Sequence, residues 1–244
     1  MLNIYKANLR RVLKHGFYIF GCIVAFLGTM LSAYMPIFPF LEGKTPEIRM
    51  FFVSAAMVAY FTIFIPIFCN VEYSDGVIRN KVIAGYSQTR IFLGHLLTQF
   101  TAVFIMWGFY MLGGLVGGAR PKGEELISNI VVLFAVFAYA AVIQALSFRL
   151  RKPVPLVVSS AFLFQYCFSS VMFGNAILMN AKGTSAFVGS LIYNIPSLGQ
   201  WFSRSGFADD IANPGALWQL GMSLLMIAVA GILGLYGIEK RNLE

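Results

Sequence analysis

Residues 51–119 read FFVSAAMVAYFTIFIPIFCNV, then EYSDGVIRNKVIAGYSQTR, then IFLGHLLTQFTAVFIMWGFYMLGGLVGGA, and this stretch decides the fold. Neither Phe51 to Val71 nor Ile91 to Ala119 holds a charged residue, whereas 72–90 holds five charges and two glycines. A bilayer core accepts about 20 apolar residues as one spanning helix. Both flanks therefore read as membrane spans, and the charged segment between them must sit at one membrane face.

The rest of the chain agrees. Of its 244 residues 59% are hydrophobic and 11% charged, and its mean hydropathy is +0.76. A soluble domain carries about 25% charged residues. Helices satisfy their own backbone hydrogen bonds in lipid, and no alternation at the roughly 10-residue spacing of a barrel recurs. The fold class is thus an all-α polytopic membrane protein, a single domain over 1–244. Hydropathy predicts six transmembrane helices, at about 17–35, 51–71, 91–118, 126–148, 153–180 and 214–238. Pro153 and Pro155 suit the first turn of the fifth, and Asn213-Pro214 reads as the cap and first residue of the sixth. The N-terminus resembles a signal peptide, but Phe17 to Leu41 is uncharged without a convincing small-residue cleavage site, so an uncleaved first span is expected. Cys22, Cys69 and Cys167 lie in apolar segments without metal-ligand spacing and read as small buried hydrophobes.

Lysine and arginine orient the spans. The N-terminal arm, 72–90, 149–152 and the tail together hold 12 of the 18 basic residues against four acids, while the opposite loops hold six of each sign. One face carries the whole net charge of +8. This predicts that both termini and 72–90 lie in the cytoplasm of a multi-pass protein of a bacterial-type cell membrane. The basic balance is a topology signal and an attraction to anionic membrane lipids; no nucleic-acid partner is suggested.

Two further segments are neither span nor simple loop. In 1–16, Leu2, Tyr5, Leu9, Val12 and Leu13 follow one helical face while Lys6, Arg10 and Lys14 repeat on another, as in an interfacial amphipathic helix. The outer connection 181–213 is long yet apolar, with Pro196 and glycines against a full span and Tyr193 and Trp201 suited to headgroups; it reads as a re-entrant or interfacial hairpin before the last span, with a seventh span as the alternative.

Catalytic patterns are sparse. No HExxH, GxSxG or P-loop motif occurs, and no metal or cofactor site is expected. His15 and His95 flank spans, His95 being an interfacial histidine or, less readily, a proton relay. The predicted spans contain no Asp, Glu, Lys or Arg, the ionisable relay of many ion-coupled carriers. Gly113, Gly114, Gly117 and Gly118 form overlapping small-xxx-small pairs for close helix packing, and Gly231, Gly234 and Gly237 suggest another. Gln99, Gln144, Gln165, Asn70 and Asn175 are polar groups for interhelical bonding or for lining a path. Aromatic and methionine side chains crowd the second and fifth spans: Met57, Tyr60, Phe61 and Phe64, then Phe162, Tyr166 and Met172, which with Gln165 are candidate path residues for greasy ligands.

Read as a helix from about Ser74, the 72–90 segment opens with acids near its positive end and carries an apolar strip of Val77, Ile78, Val82 and Ile83. Glu72-Tyr73-Ser74-Asp75-Gly76-Val77-Ile78-Arg79, followed by Ser87-Gln88-Thr89-Arg90, resembles the cytoplasmic loop of permease subunits of type-2 ABC exporters. That loop typically reads acid-aromatic-x-x-Gly-small-apolar-Arg/Lys with a Ser/Arg-rich turn. Val77 departs from the family's usual Thr, and Gln88-Thr89 from an earlier Arg, leaving that role to Arg90. The resemblance implies a coupling helix, with Glu72, Tyr73, Asp75, Gly76, Arg79, Lys81 and Arg90 at the junction with a separate ABC ATPase subunit present in two copies. It also implies a second permease subunit, identical or not, a path lined by the second and fifth spans, and ATP and Mg bound by the partner rather than by this chain. The chain itself is then no enzyme. Many relatives of this size export peptide antibiotics, lantibiotics or hydrophobic drugs, which makes a hydrophobic or amphipathic cargo the expectation. An ATP-independent carrier or channel, a membrane scaffold, and last a membrane-embedded hydrolase remain the alternatives.

Overall fold

The computed structural model describes residues 1–150, 152–208 and 210–240. They form eleven α-helices joined by turns and short 3₁₀ segments, with no strand among the described residues. In chain order these are α1 (Leu2–Lys14), α2 (Gly16–Tyr34), α3 (Pro46–Val53), α4 (Ala55–Ser74), α5 (Val77–Ile83), α6 (Gln88–Val116), α7 (Glu124–Arg149), α8 (Pro153–Leu178), α9 (Thr184–Tyr193), α10 (Ser197–Phe202) and α11 (Ala216–Leu235). Six helices are long and apolar enough to cross a membrane: α2, α3 with α4, α6, α7, α8 and α11.

The ends differ from the hydropathy reading for local reasons. The second span begins at Pro46, where proline in the first turn leaves no N–H unmet; Glu47 and Arg49 had diluted the hydropathy there. A break at Ser54, whose hydroxyl donates to the Phe51 carbonyl at 2.6 Å, separates α3 from α4. The span also continues to Ser74, so Glu72 belongs to a spanning helix rather than to the loop. At the far end Gly215 has φ +101°, outside the helical region, so the last helix starts at Ala216 and not at Pro214.

α7 is the central column: 61% of its apolar window is buried, against 22% for α8 and 17% for α11. α11 lies along α7, α6 along α2, and α4 between α7 and α8. Without a hydrophobic driving force between helices in lipid, close approach and interhelical hydrogen bonds hold such a bundle. Gly113 and Gly117 supply the approach between α6 and α2, where a Cβ would overlap the carbonyl oxygens of Phe26 and Met30. Gly114 admits the Met50 thioether. Gly118 does none of this: it sits past the helix end at φ +99°, with open space around it. Similarly, Gly234 takes the Phe92 ring, while Gly231 faces open space and Gly237 is a left-handed turn residue. Tyr18 donates to the Ala102 carbonyl at 2.7 Å and the Tyr139 and Thr62 hydroxyls meet at 2.8 Å, tying α2 to α6 and α4 to α7.

The outer connection folds back into the bundle as a helical hairpin. α9 and α10 flank a break at residues 194–196, and α10 packs against α7 and α8. Ser197 donates to the carbonyl of Ala135, eleven residues into α7, a depth of about 16 Å at the helical rise. Among the described residues of this segment, neither α9 nor α10 is long enough to cross a membrane.

Candidate functional site

Four helices converge on one carboxylate at the end of the bundle that holds the N-terminus. Glu72, near the end of α4, is fully buried. Its Oε1 accepts from Arg11 Nη1 of α1 at 2.6 Å, and its Oε2 accepts from Lys81 Nζ of α5 at 2.8 Å and from His95 Nε2 of α6 at 2.9 Å. Lys81 also donates to Asn8 Oδ1 at 2.8 Å. An ionised carboxylate only accepts, so the proton of His95 sits on Nε2. The 3.4 Å approach of Lys81 Nζ to the same nitrogen is therefore a meeting of two donors and carries no bond.

The surroundings are aromatic. Phe68 lies under the Arg11 guanidinium at 5.9 Å, and Phe148 of α7 meets His95 edge-on at 5.2 Å and Tyr73 at 5.8 Å. This low-dielectric wall strengthens each bond to Glu72 and makes loss of any partner costly.

The loop from α4 to α6 has its shape from two glycines. Gly76 at φ +67° ends α4 and turns the chain into α5, so α5 starts at Val77 and not near Ser74. Gly85 at φ +86° ends it, with Tyr86 N donating back to the Lys81 carbonyl, a C-terminal closure that favours glycine. Ser87 then caps α6 by accepting from Arg90 N. A second cap comes from the other end of the chain: the Glu239 carboxylate accepts from Thr89 N at 2.9 Å, Thr89 Oγ1 at 2.7 Å and Gln88 N at 3.4 Å. The Thr89 backbone N–H holds the Glu239 carboxyl below the usual carboxylate range.

The seven residues expected at the junction thus divide into two sets. Asp75, Arg79 and Arg90 are exposed, and Gly76 makes the turn beside them. Glu72 is walled off and Lys81 turns inward to it, so neither offers a contact surface: they fasten α5 instead. Tyr73 is half-buried against Phe148. The apolar strip divides as well, with Ile78 buried and Ile83 74% exposed beside Arg79. Of the expected apolar face of the N-terminal helix, Val12 is buried, Tyr5 and Leu9 are half-buried, and Leu2 and Leu13 are exposed; Ile4 and Asn8 are buried beside Val12 instead. Asn8 and Arg11 belong to the inward side because Lys81 and Glu72 pair with them; two polar residues interrupting a short helix's apolar pattern were the available signal.

The candidate path residues are not brought together. Met57, Phe61 and Phe64 are buried core and Tyr60 stacks on Phe17 and Phe64, with its hydroxyl donating to the Phe17 carbonyl at 3.1 Å. Phe162, Tyr166 and Met172 lie exposed on α8, as does Gln165. One set fills the interior and the other faces outward, so they line no common cavity.

A second polar cluster, which the sequence pattern did not disclose, holds the outer hairpin. Gln219 of α11 donates to Asn194 Oδ1 at 2.7 Å and Ser203 Oγ at 2.8 Å, and accepts from Arg204 Nε. Ser223 donates to Gln200 Oε1 at 3.0 Å, and Arg204 pairs with Glu124 at 3.6 Å. Burial draws the Arg204 guanidinium below its ordinary value, against the pull of Glu124, though arginine stays charged.

No protein-family model, curated protein or solved structure matches the chain. Among the described residues, no three of His, Cys, Asp and Glu group as a metal site.

Proposed function

We propose that this chain is the transmembrane subunit of an ATP-driven exporter, coupled to a separate ABC ATPase through the 72–90 segment and moving a hydrophobic or amphipathic cargo. The observation that carries this reading is the seating of α5. A short helix with a charged and apolar outer face (Arg79, Ile83), preceded by exposed Asp75, is bolted by Lys81 and Glu72 to three other helices. A push on that outer face would pass through Glu72 into α1, α4 and α6 at once. Such a lever is what a partner's motion requires, and a mere turn between spans would not need it. The basic distribution supports a cytoplasmic placement of this end. The proposed assembly has two ATPase subunits and two permease subunits, with ATP and Mg held by the ATPases.

Co-expression with ABC ATPase subunits from the source organism tests the proposal. A complex of two permease and two ATPase chains, hydrolysing ATP faster in the presence of cargo or lipid, is expected. Failure of any ATPase to associate, together with solute movement by the chain alone in liposomes, would overturn it.

A further inference from the structure

A groove runs between α8 and α11, floored by α7. α11 packs chiefly along α7, and α8 chiefly against α4 and α10, which leaves the two outer helices apart. Each of the three contributes one face over two turns at positions i, i+3, i+4 and i+7. On α7 this runs from Val142 to Arg149, on α8 from Ser159 to Tyr166, and on α11 from Met226 to Leu233. The cavity holds about 530 Å³. Seven residues rise roughly 10.5 Å along a helix, about two-thirds of one leaflet of a hydrocarbon core about 30 Å thick.

One end of this groove is charged. Arg149 is exposed at its mouth and donates from Nε, at 3.1 Å, and from Nη2 to the Leu233 carbonyl, which holds the guanidinium across the gap between α7 and α11. It has no carboxylate partner among the described residues. Lys152, exposed, follows it at the start of α8. The remaining lining is apolar apart from the Ser159 and Tyr166 hydroxyls.

We infer that this groove is a binding site for an anionic phospholipid, its acyl chains lying between α8 and α11 and its phosphate on Arg149. The charge selects the headgroup, because a guanidinium fork matches phosphate oxygens and the Arg149 and Lys152 cations at this end are offset by a net-negative lipid and not by a zwitterion. Arg149 further belongs to the end of the bundle that bears the chain's net positive charge, the side that faces the more anionic leaflet. This inference is independent of the export proposal: the site would bind lipid whether or not the chain transports.

The test uses the full chain in vesicles containing phosphatidylglycerol or phosphatidylcholine with identical diazirine-labelled acyl chains, and maps photolabel by mass spectrometry. Label from phosphatidylglycerol should concentrate on peptides of α8 and α11, about fivefold above phosphatidylcholine, the ratio one basic residue gives at an anionic surface. Arg149→Gln should abolish that excess and Arg149→Lys should retain most of it. Val229→Trp, which fills the groove and leaves Arg149 in place, should lower labelling by both lipids. Gel filtration checks that each variant remains folded. Equal labelling by the two lipids would overturn the inference, as would an excess untouched by Arg149→Gln or labelling untouched by Val229→Trp. Efficient disulfide formation between copies through Tyr166→Cys would also overturn it, by showing that a second copy covers the groove.

Discussion

Replacing Glu72 by Gln keeps the size of the side chain and removes the charge on which Arg11, Lys81 and His95 converge. Breaking a buried ion pair from one side costs about 3–5 kcal/mol when the stranded charge stays dry. Here the stranded groups are less dry than that: the Arg11 side chain is 37% exposed and that of Lys81 14%, so both regain some water. The glutamine oxygen also keeps one bond. About 2–3 kcal/mol is therefore the expected loss, and it falls on α5, whose inward anchor among the polar groups is Lys81. If α5 opens locally, its amides should exchange roughly 30- to 150-fold faster, since 1.4 kcal/mol is tenfold. Hydrogen exchange read by mass spectrometry on peptides covering 76–86, in lipid nanodiscs, measures this directly. Arg79→Ala, an exposed change on the same helix, should leave exchange unaltered. Protection of 77–83 in the Glu72→Gln protein equal to the parent's would refute the argument that Glu72 fastens the helix.

Three other outcomes follow from the same geometry. Glu239→Gln should loosen the first turn of α6, read as faster exchange at residues 88–91; because the folded carboxyl is held below its ordinary value of about 4.3 by Thr89, its contribution is present above that value and lost as pH falls through the lower folded one. The thermal-stability difference between parent and variant should accordingly vanish in that acidic window. Gln219→Leu leaves Asn194, Ser203 and Arg204 each short of a buried partner, at about 1–3 kcal/mol per unsatisfied group, and should lower the melting temperature in detergent by several degrees. Gly113→Val forces α6 away from the Phe26 carbonyl and should cost at least as much as ordinary overpacking, about 1–3 kcal/mol, while Gly231→Val, which meets open space, should be tolerated in the same melting assay.

The spans were legible because hydrophobicity over some 20 residues is a property of composition, which survives ignorance of partners. Their ends were less so: Glu47 and Arg49 made the start of the second span look like loop, and only the turn at Gly76 reveals that α4 reaches far enough to carry Glu72 inward. The Glu72 site itself was half visible. Its acid was singled out with the right loop, but its partners lie in α1, α5 and α6, and nothing in the local pattern distinguishes an acid facing a neighbouring protein from one facing its own bundle. The outer network was less visible still. Asn194, Gln200 and Ser203 stand in the outer hairpin and Gln219 and Ser223 in α11, and only the fold-back of α9 and α10 makes them neighbours. The second-span and fifth-span aromatics are kept apart for the converse reason: a shared composition says nothing about which way each helix is turned, and α4 presents its rings to the core while α8 presents them outward.

The central proposal is that α5 receives a mechanical input from an ATPase on its outer face. Ile83, exposed at 74% beside Arg79, is the residue that a docking groove would cover and that the bundle does not need. The most direct measurement is co-purification of ATPase subunits with the parent chain and with Ile83→Asp, together with the melting temperature of each permease alone. The account predicts an unchanged melting temperature and loss of the ATPase from the variant. An ATPase that stays bound to Ile83→Asp at parental stoichiometry, or that never binds the parent, would contradict it.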